Sequence, residues 1–594
     1  VKKSGLILTL CAGLMMPATV GAATDHDNTD TYNTKIEVEN GMTQPIYAME
    51  NSVQEEVYIE TSVDSDSDGE KDRVHATIIR PGATETGADV PVIYSMSPYR
   101  AGLNFPLEFY DVDRELNVVD HPGKPMLTGN GADAGLPGYL DDYFLPRGYA
   151  IVLAESIGTG ESEGCATTGD FREIEGTKAV IEWINGNAKG YNAQGEEVAA
   201  DWSTGNVGMT GVSYNGTLPN AVATTGVEGL KTIVPIAAIS DWYDYYRSNG
   251  AVIAPGGYQG EDTDVLAKAV LTRDNPEECA PVIEELTEGQ DRETGDYNTF
   301  WDARNYVDDV KNIEASVLLV HGLNDWNVKT EQFSQWWDAL KKHDVPRKMW
   351  LHQYGHRSPY SIRQEEWLET LNKWFGHWLY NIDNDIMEEP TVDIQREDLS
   401  WETMETWPAQ NAVNTRLYFE KAEDSIGTLS YSPVPNNKKI EDLIVDAPER
   451  TATELVSDLA GNAENIGAYL TEPLAEDLRL SGVPEVSIRA EFNRQTANLT
   501  ALLVDHSAEG TEIVTRGWMD PQNINSDWKS KALRAFKEYN FQWNMQPDDY
   551  VFEAGHQLGV VIISTDYNYT LRPDKGTEIT LDPASSYIKL PLVR

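Results

Sequence analysis

A serine hydroxyl attacks a carbonyl at neutral pH only when a base takes its proton and a carboxylate orients that base. Three segments of this sequence have the residue types for such a set. In Asn206-Val-Gly-Met-Thr-Gly-Val-Ser-Tyr-Asn-Gly-Thr, Ser213 lies between Gly211 and Gly216, after an apolar run and before a helix-capable one. Small residues on both sides permit a sharp strand-to-helix turn that lifts the serine above a sheet. The Tyr214 N–H and the helix N-terminus can then face a developing oxyanion. The spacing departs from G-x-S-x-G, because the second glycine stands one place later. In His321-Gly-Leu-Asn-Asp-Trp-Asn-Val, Asp325 follows the apolar run Ser316–Val320. In Gln353-Tyr-Gly-His-Arg, His356 follows the run Lys348–Leu351. His321 and His352 lie at or inside strand ends and read as structural.

The elements around these segments must bring them together. Strand candidates are Arg73–Ile79, Val90–Ser95, Ala150–Ala154, Val207–Thr210, Thr232–Ile236, Ser316–Val320 and Lys348–Leu351, several of them continuous apolar runs suited to burial on both faces. Amphipathic stretches alternate with them, such as Glu173–Ile184 and Thr330–Lys342. The alternation predicts an α/β domain over 56–390 with a mostly parallel sheet, and serine, acid and histidine follow strands in α/β-hydrolase order. Residues 24–55 are polar and read as a loose lead-in. The interval 241–313 breaks the rhythm and reads as a helical cap insertion over the sheet's carboxyl edge, where ligands of such sheets bind. From 391 to 594 short alternating segments predict an all-β, jelly-roll-like sandwich.

Composition excludes several functions. The chain has 594 residues, 97 acidic against 46 basic, and a formal charge of −51. That balance argues against nucleic acid and against an anionic membrane surface as partners. With 40% apolar residues, 16 Trp and 28 Tyr, the chain is not a disordered acidic protein either. An acidic surface of this kind suits salty surroundings, marine or halophilic, where counterions screen self-repulsion. Lys2 and Lys3, the apolar run Leu6–Val20 and the small residues Gly21, Ala22 and Ala23 form a signal-peptide pattern over 1–23, predicting a secreted or periplasmic protein. Beyond it stand two cysteines, Cys165 and Cys279, which an oxidising compartment would allow to pair; spacing alone does not bring them together.

Several segments together resemble the Xaa-Pro dipeptidyl-peptidase family of serine peptidases, relatives of cocaine esterase and α-amino-acid ester hydrolases. They are Gly211–Thr217, Thr224-Thr-Gly-Val-Glu-Gly-Leu-Lys-Thr-Ile-Val, Ile239-Ser-Asp-Trp-Tyr-Asp-Tyr-Tyr-Arg-Ser-Asn-Gly and His321–Val328, with a weaker likeness at Ile513-Val-Thr-Arg-Gly-Trp. The resemblance implies Ser213 as nucleophile, His356 as base and Asp325 as its orienter. It implies an oxyanion hole made of the Tyr214 N–H and the Tyr99 hydroxyl. It assigns Trp242, Tyr243 and Tyr245 to a proline pocket, where flat aromatic walls suit a rigid ring. Glu261 and Asn327 would receive the free ammonium of a peptide substrate with proline at its second position. An anion in a half-enclosed pocket would then measure off two residues.

One further segment has metal-ligand spacing. Asp64, Asp66, Asp68 and Asp72 give D-x-D-x-D-G-x-x-D, the oxygen pattern of a calcium loop. Its twelfth position is His75 instead of glutamate, so an acidic turn competes with that reading. The catalytic reading itself needs no cofactor. Two alternatives to the peptidase stand: an esterase or amino-acid ester hydrolase or acylase on the same scaffold, and a glycan-binding protein acting through its β domain.

Overall fold

A computed structural model describes residues 35–104, 107–113, 117–120, 139–421, 426–433 and 440–593. The signal-peptide pattern at 1–23 lies outside the described residues. Among the described residues no helix is long and apolar enough to cross a membrane.

Ten strands build the main sheet: β1 (Val53–Glu60), β2 (Arg73–Arg80), β3 (Val90–Ser97), β4 (Ala150–Glu155), β5 (Ser203–Val212), β6 (Leu230–Ile236), β7 (Ser316–Gly322), β8 (Arg347–His352), β9 (Val392–Gln395) and β10 (Trp401–Met404). A short hairpin, Gly190–Tyr191 with Glu197–Val198, extends the β1 edge, and the order onward is β1-β2-β4-β3-β5-β6-β7-β8-β9-β10. From β4 to β9 every pairing is parallel. Strands β3 and β7 are buried at every residue, which explains their largely apolar sequence. Helices α1 (Phe171–Ile184), α2 (Tyr214–Ala223), α3 (Tyr243–Tyr246), α4 (Thr263–Val270), α5 (Ala280–Gly289), α6 (Glu331–Lys342) and α7 (Gln364–Tyr380) follow in the chain. Two apolar cores sandwich the sheet, one holding Val180, Leu218 and Trp336, the other Trp367, Trp374 and Phe375.

The structure corrects two boundaries. Strand β1 begins at Val53, and upstream of it Thr43 is buried, its N–H and hydroxyl both donating to Asn372 Oδ1 at 2.9 Å, so 24–55 is not a loose lead-in throughout. An edge-side strand leaves one face wet, so Gln54, Glu55 and Glu56 disguise it as loop. At the other end, β9 pairs parallel with β8 and β10 antiparallel with β9, which takes the main sheet past residue 390 to Met404. Those strands are only four residues long, and their short alternation looks like the β domain's.

Helices α3, α4 and α5 lie in the insertion between β6 and β7, as expected for a cap. Disulfide Cys165–Cys279 ties the cap to the loop after β4, with 5.5 Å between Cα atoms. The C-terminal domain is all β around its own core of Leu417, Phe492, Leu503, Trp543, Ile562 and Leu590. It packs on the cap and on the loop after β7 through Trp518, whose ring centroid lies 6.3 Å from that of Trp326 and whose carbonyl accepts from Asn249 Nδ2 at 3.0 Å.

Candidate active site

Ser213 directly follows β5, at φ 64° and ψ −129°, and caps α2. A non-glycine residue in that region is strained and persists only where its surroundings fix it. They do so here: the Ser213 N–H donates to Ile236 O of β6 at 2.9 Å, and its carbonyl accepts from Gly216 and Thr217 N–H at 2.9 Å. The displaced glycine now has a reason. A Cβ on Gly216 would lie 2.7 Å from Gly211 O, and one on Gly211 would lie 2.3 Å from Asn215 O. The tight crossing of helix and strand therefore needs both glycines, at this chain's own spacing.

Strand β7 pairs with β6 and β8 with β7, and their carboxyl ends deliver Asp325 and His356 to the same edge. His356 Nδ1 lies 2.6 Å from Asp325 Oδ2, which leaves Nε2 for another partner. Asp325 Oδ1 also accepts from the Asn327 and Val328 N–H groups at 3.0 Å each. Burial alone would raise the Asp325 carboxyl, but the charge and hydrogen bond of His356 hold it below its ordinary value. Burial would likewise lower His356, and Asp325 holds it above its ordinary value instead. His321 and His352 are structural: their Nε2 atoms lie 2.8 Å from Val328 O and 3.1 Å from Arg357 O. Burial lowers both, His352 to about 4.

Ser213 and His356 line one cavity of about 240 Å³, together with Tyr99, Trp242, Tyr245, Glu261 and Asn327. That is below the ~300–1,000 Å³ of most drug-sized sites and suits a small group. Tyr99, two residues past β3, reaches the cavity beside Tyr214, the ring centroids 6.0 Å apart. Burial and the nearby Glu261 carboxylate push the Tyr99 phenol far up, so it stays a hydrogen-bond donor. Tyr214 is fixed by its hydroxyl, which donates to buried Glu173 Oε2 at 2.7 Å; Ser156 Oγ and Gly169 N–H also donate to that carboxylate, at 2.8 and 2.7 Å.

The aromatic wall corrects one assignment. Trp242, Tyr245 and Tyr246 share a helical face by their spacing, whereas Tyr243 turns away from the cavity. Its hydroxyl donates to Gly295 O at 2.9 Å, and its ring packs against Tyr297 and Trp301. Of the three residues the resemblance assigns to the proline pocket, Trp242 and Tyr245 line the cavity and Tyr243 does not. Tyr246, which it did not single out, donates to Glu261 Oε1 at 2.9 Å, and Tyr245 donates to Asn327 Oδ1 at 2.8 Å. Glu261 is 8% exposed. Burial pushes its carboxyl up to about 7, against the lowering effect of the Tyr246 hydroxyl and the Lys329 charge. Its loop is anchored by Asp262, whose Oδ2 accepts from Arg247 at 2.9 Å and Arg292 at 3.0 Å. No motif marked those arginines, because their partners come from distant parts of the insertion.

Away from the cavity, carboxylate oxygens of Asp64, Asp66 and Asp72 lie within 4.8 Å of one another; Asp68 is outside that group. Protein donors already serve them. Arg273 Nη1 donates to Asp66 Oδ2 at 2.6 Å, Ser65 N–H to Asp72 at 2.9 Å, and Asp68 and Gly69 N–H to Asp64 at 3.1 and 3.0 Å.

Comparison with known proteins bears on this geometry. The family model for X-Pro dipeptidyl-peptidase (S15 family) matches residues 68–358, and that for the X-Pro dipeptidyl-peptidase C-terminal non-catalytic domain matches 384–590. A putative Xaa-Pro dipeptidyl-peptidase of Bacillus anthracis is 56% identical, over 95% of this chain and 91% of its own length. One from Rhodopirellula baltica is 38% identical, over 94% of this chain and 91% of its own length. A solved α-amino acid ester hydrolase superposes with a TM-score of 0.64 at 19% identity, covering 92% of this chain and 98% of its own, which shows a shared fold. On the family matches and the identity to these relatives, the chain belongs to the X-Pro dipeptidyl-peptidase family of serine hydrolases.

Proposed function

We propose that the protein releases Xaa-Pro dipeptides from free peptide N-termini through an acyl-enzyme on Ser213. The observation that carries this reading is that one small cavity is lined by Ser213 and His356 together with Glu261 and Asn327. A peptide whose ammonium meets Glu261 would present an early carbonyl to Ser213. Ser213 Oγ attacks that carbonyl carbon while His356 takes its proton, and Asp325 stabilises the imidazolium. The Tyr214 N–H and the Tyr99 hydroxyl donate to the oxyanion. The C–N bond then breaks, His356 returns the proton to the leaving amine, and water repeats the sequence to free the dipeptide. Trp242 and Tyr245 wall the space for the second-position ring.

Steady-state rates on Ala-Pro and Gly-Pro anilides, their N-blocked forms and a simple aryl ester test this. Free amines should be preferred by at least about tenfold, the worth of one charge-assisted contact. Equal rates on blocked and free substrates would overturn the dipeptide ruler and favour the ester-hydrolase reading.

Export from the cytoplasm is part of the proposal. The Cys165–Cys279 disulfide supports it, since such bonds persist in oxidising compartments. Recovery of active protein only from the cytoplasmic fraction would refute it. We further propose that no metal takes part in the chemistry and that the Asp64–Asp72 turn is satisfied by protein donors. Melting temperature should then not respond to added calcium.

A further inference from the structure

Lys329 is a buried cation that the reaction leaves without a task. Its side chain is fully buried, and Nζ donates to the main-chain carbonyl of Tyr245 at 3.4 Å. The ammonium lies 5.7 Å from the Tyr245 ring and 5.9 Å from the Trp518 ring, which the β domain contributes. Among the described residues it has no ion-pair partner. Three carboxylates favour its charge from farther away: Asp325 in its own loop, Glu331 at the start of α6, and Glu261. Burial still pushes its pKa down to about 7. A lone buried ammonium is expensive, so the position calls for a compensating role.

The atom it grips supplies one. The Tyr245 carbonyl belongs to the last turn of α3, where carbonyls lack helical partners and cations are favoured. Tyr245 holds Asn327 by its hydroxyl, and the next residue, Tyr246, holds Glu261. One backbone contact thus steadies the two tyrosines that orient both polar groups of the amine subsite. The same ammonium acts on Glu261 through space, as the only cation among the principal influences on it; Tyr246, Tyr245, Asp262, Tyr99 and Tyr258 are the other titratable groups facing it.

We propose that Lys329 is the positioning residue of the amine subsite, holding Glu261 and Asn327 in the geometry and charge state a substrate ammonium requires. The inference rests on the reading of Glu261 as ammonium acceptor. It also gives the β domain a part in specificity, because Trp518 covers Lys329.

Two variants test it, Lys329→Met and Glu331→Gln, each assayed on Ala-Pro anilide and an aryl ester across pH. The ratio of the two kcat/KM values is read, since Asp325 also faces Lys329 and the ratio cancels any change in the triad. In Lys329→Met the acid limb of that ratio should rise by about one pH unit, the lower end of what a neighbouring charge does, with a fall of about fivefold at pH 7 that approaches about tenfold at lower pH. Glu331→Gln removes a charge that supports the ammonium and should shift the limb the same way by less. It also keeps the proposal testable should Lys329→Met not fold. Losses equal on both substrates at every pH, or a limb at the wild-type position in Glu331→Gln and in any folded Lys329→Met, would overturn the role. Failure of the underlying Glu261 reading looks different: wild type itself would not distinguish free from blocked substrates.

Discussion

The two ends of the cavity are built by different means. At the acyl-transfer end, Ser213, Asp325 and His356 stand on the carboxyl ends of β5, β7 and β8, in one sheet whose register fixes them. At the amine end, Glu261, Asn327, Tyr245 and Tyr246 come from the cap insertion and a catalytic loop, and hold one another by hydroxyl-to-oxygen bonds of 2.8 and 2.9 Å. The first end is positioned by backbone pairing and, on the proposed function, performs the acyl transfer. The second is positioned by side chains packed around buried charges and, on the same proposal, selects the acyl group. If both proposed roles hold, reaction type and specificity are separable, and mutation addresses them one at a time.

The largest expected effect falls on both substrates at once. Ser213→Ala should lower kcat by about 10⁴-fold or more for anilide and ester alike, as loss of a triad member does. Labelling by a fluorophosphonate should vanish with it. Persistent turnover of either substrate would place the chemistry elsewhere. Tyr99→Phe comes next, because it removes a donor to the oxyanion while leaving the ring. It should cost about 10²–10³-fold in kcat on both substrates. An effect confined to the free-amine substrate would instead move Tyr99 to the amine end, whose carboxylate it also faces.

Glu261→Gln separates the ends. Truncating one partner of a buried charge pair costs about 2–5 kcal/mol, so kcat/KM for free-amine anilides should fall about 10²-fold. The aryl ester should feel little of this, and the preference for free over blocked substrates should collapse. A parallel loss on the ester would mean that Glu261 supports the fold and not recognition.

Acid and base titration sharpens the same contrast. Ester hydrolysis needs only neutral His356, whose pKa Asp325 holds above the ordinary value, so its rate should rise with pH in one step. Free-amine kcat/KM needs in addition an ionised Glu261, whose carboxyl lies at about 7. Since a carboxylate is lost as pH falls through its pKa, the anilide-to-ester ratio at pH 6 should be about tenfold below its maximum. It should fall again above about pH 8 as the substrate's own ammonium deprotonates. A flat ratio between pH 6 and pH 8 would break the comparison.

The sequence disclosed these ends unequally, for physical reasons. Ser213, Asp325 and His356 were legible because buried parallel strands announce themselves as apolar runs, and loops after them face one edge. Gly216 looked like a departure, yet the close approach to Gly211 O explains it. Tyr243 was misplaced because one residue of helical rotation decides which face an aromatic occupies. Lys329 and Tyr246 were passed over, since a charged or phenolic residue gives no sign in sequence of being buried. Cys165 and Cys279 are 114 residues apart, and only the cap's return over the β4 loop joins them. The strands after residue 390 are short enough to be mistaken for the next domain.

Salt should separate surface charge from cavity charge, with the smallest kinetic effect. The −51 charge of the chain is spread largely over exposed residues, where repulsion is screened beyond a Debye length of about 10 Å at 0.1 M salt and about 3 Å at 1 M. Melting temperature should therefore rise between 0.05 M and 1 M sodium chloride, at roughly those ionic strengths. Glu261, at 8% exposure, is shielded by protein instead of ions. The anilide-to-ester ratio should then drop by no more than about two- to threefold over the same range, because buried pairs are poorly screened. A tenfold collapse of the ratio would identify amine recognition as a property of the acidic surface at large. A melting temperature that ignores salt would show the opposite, that the surface charges are already compensated locally and that the cavity carries the only electrostatics that matter.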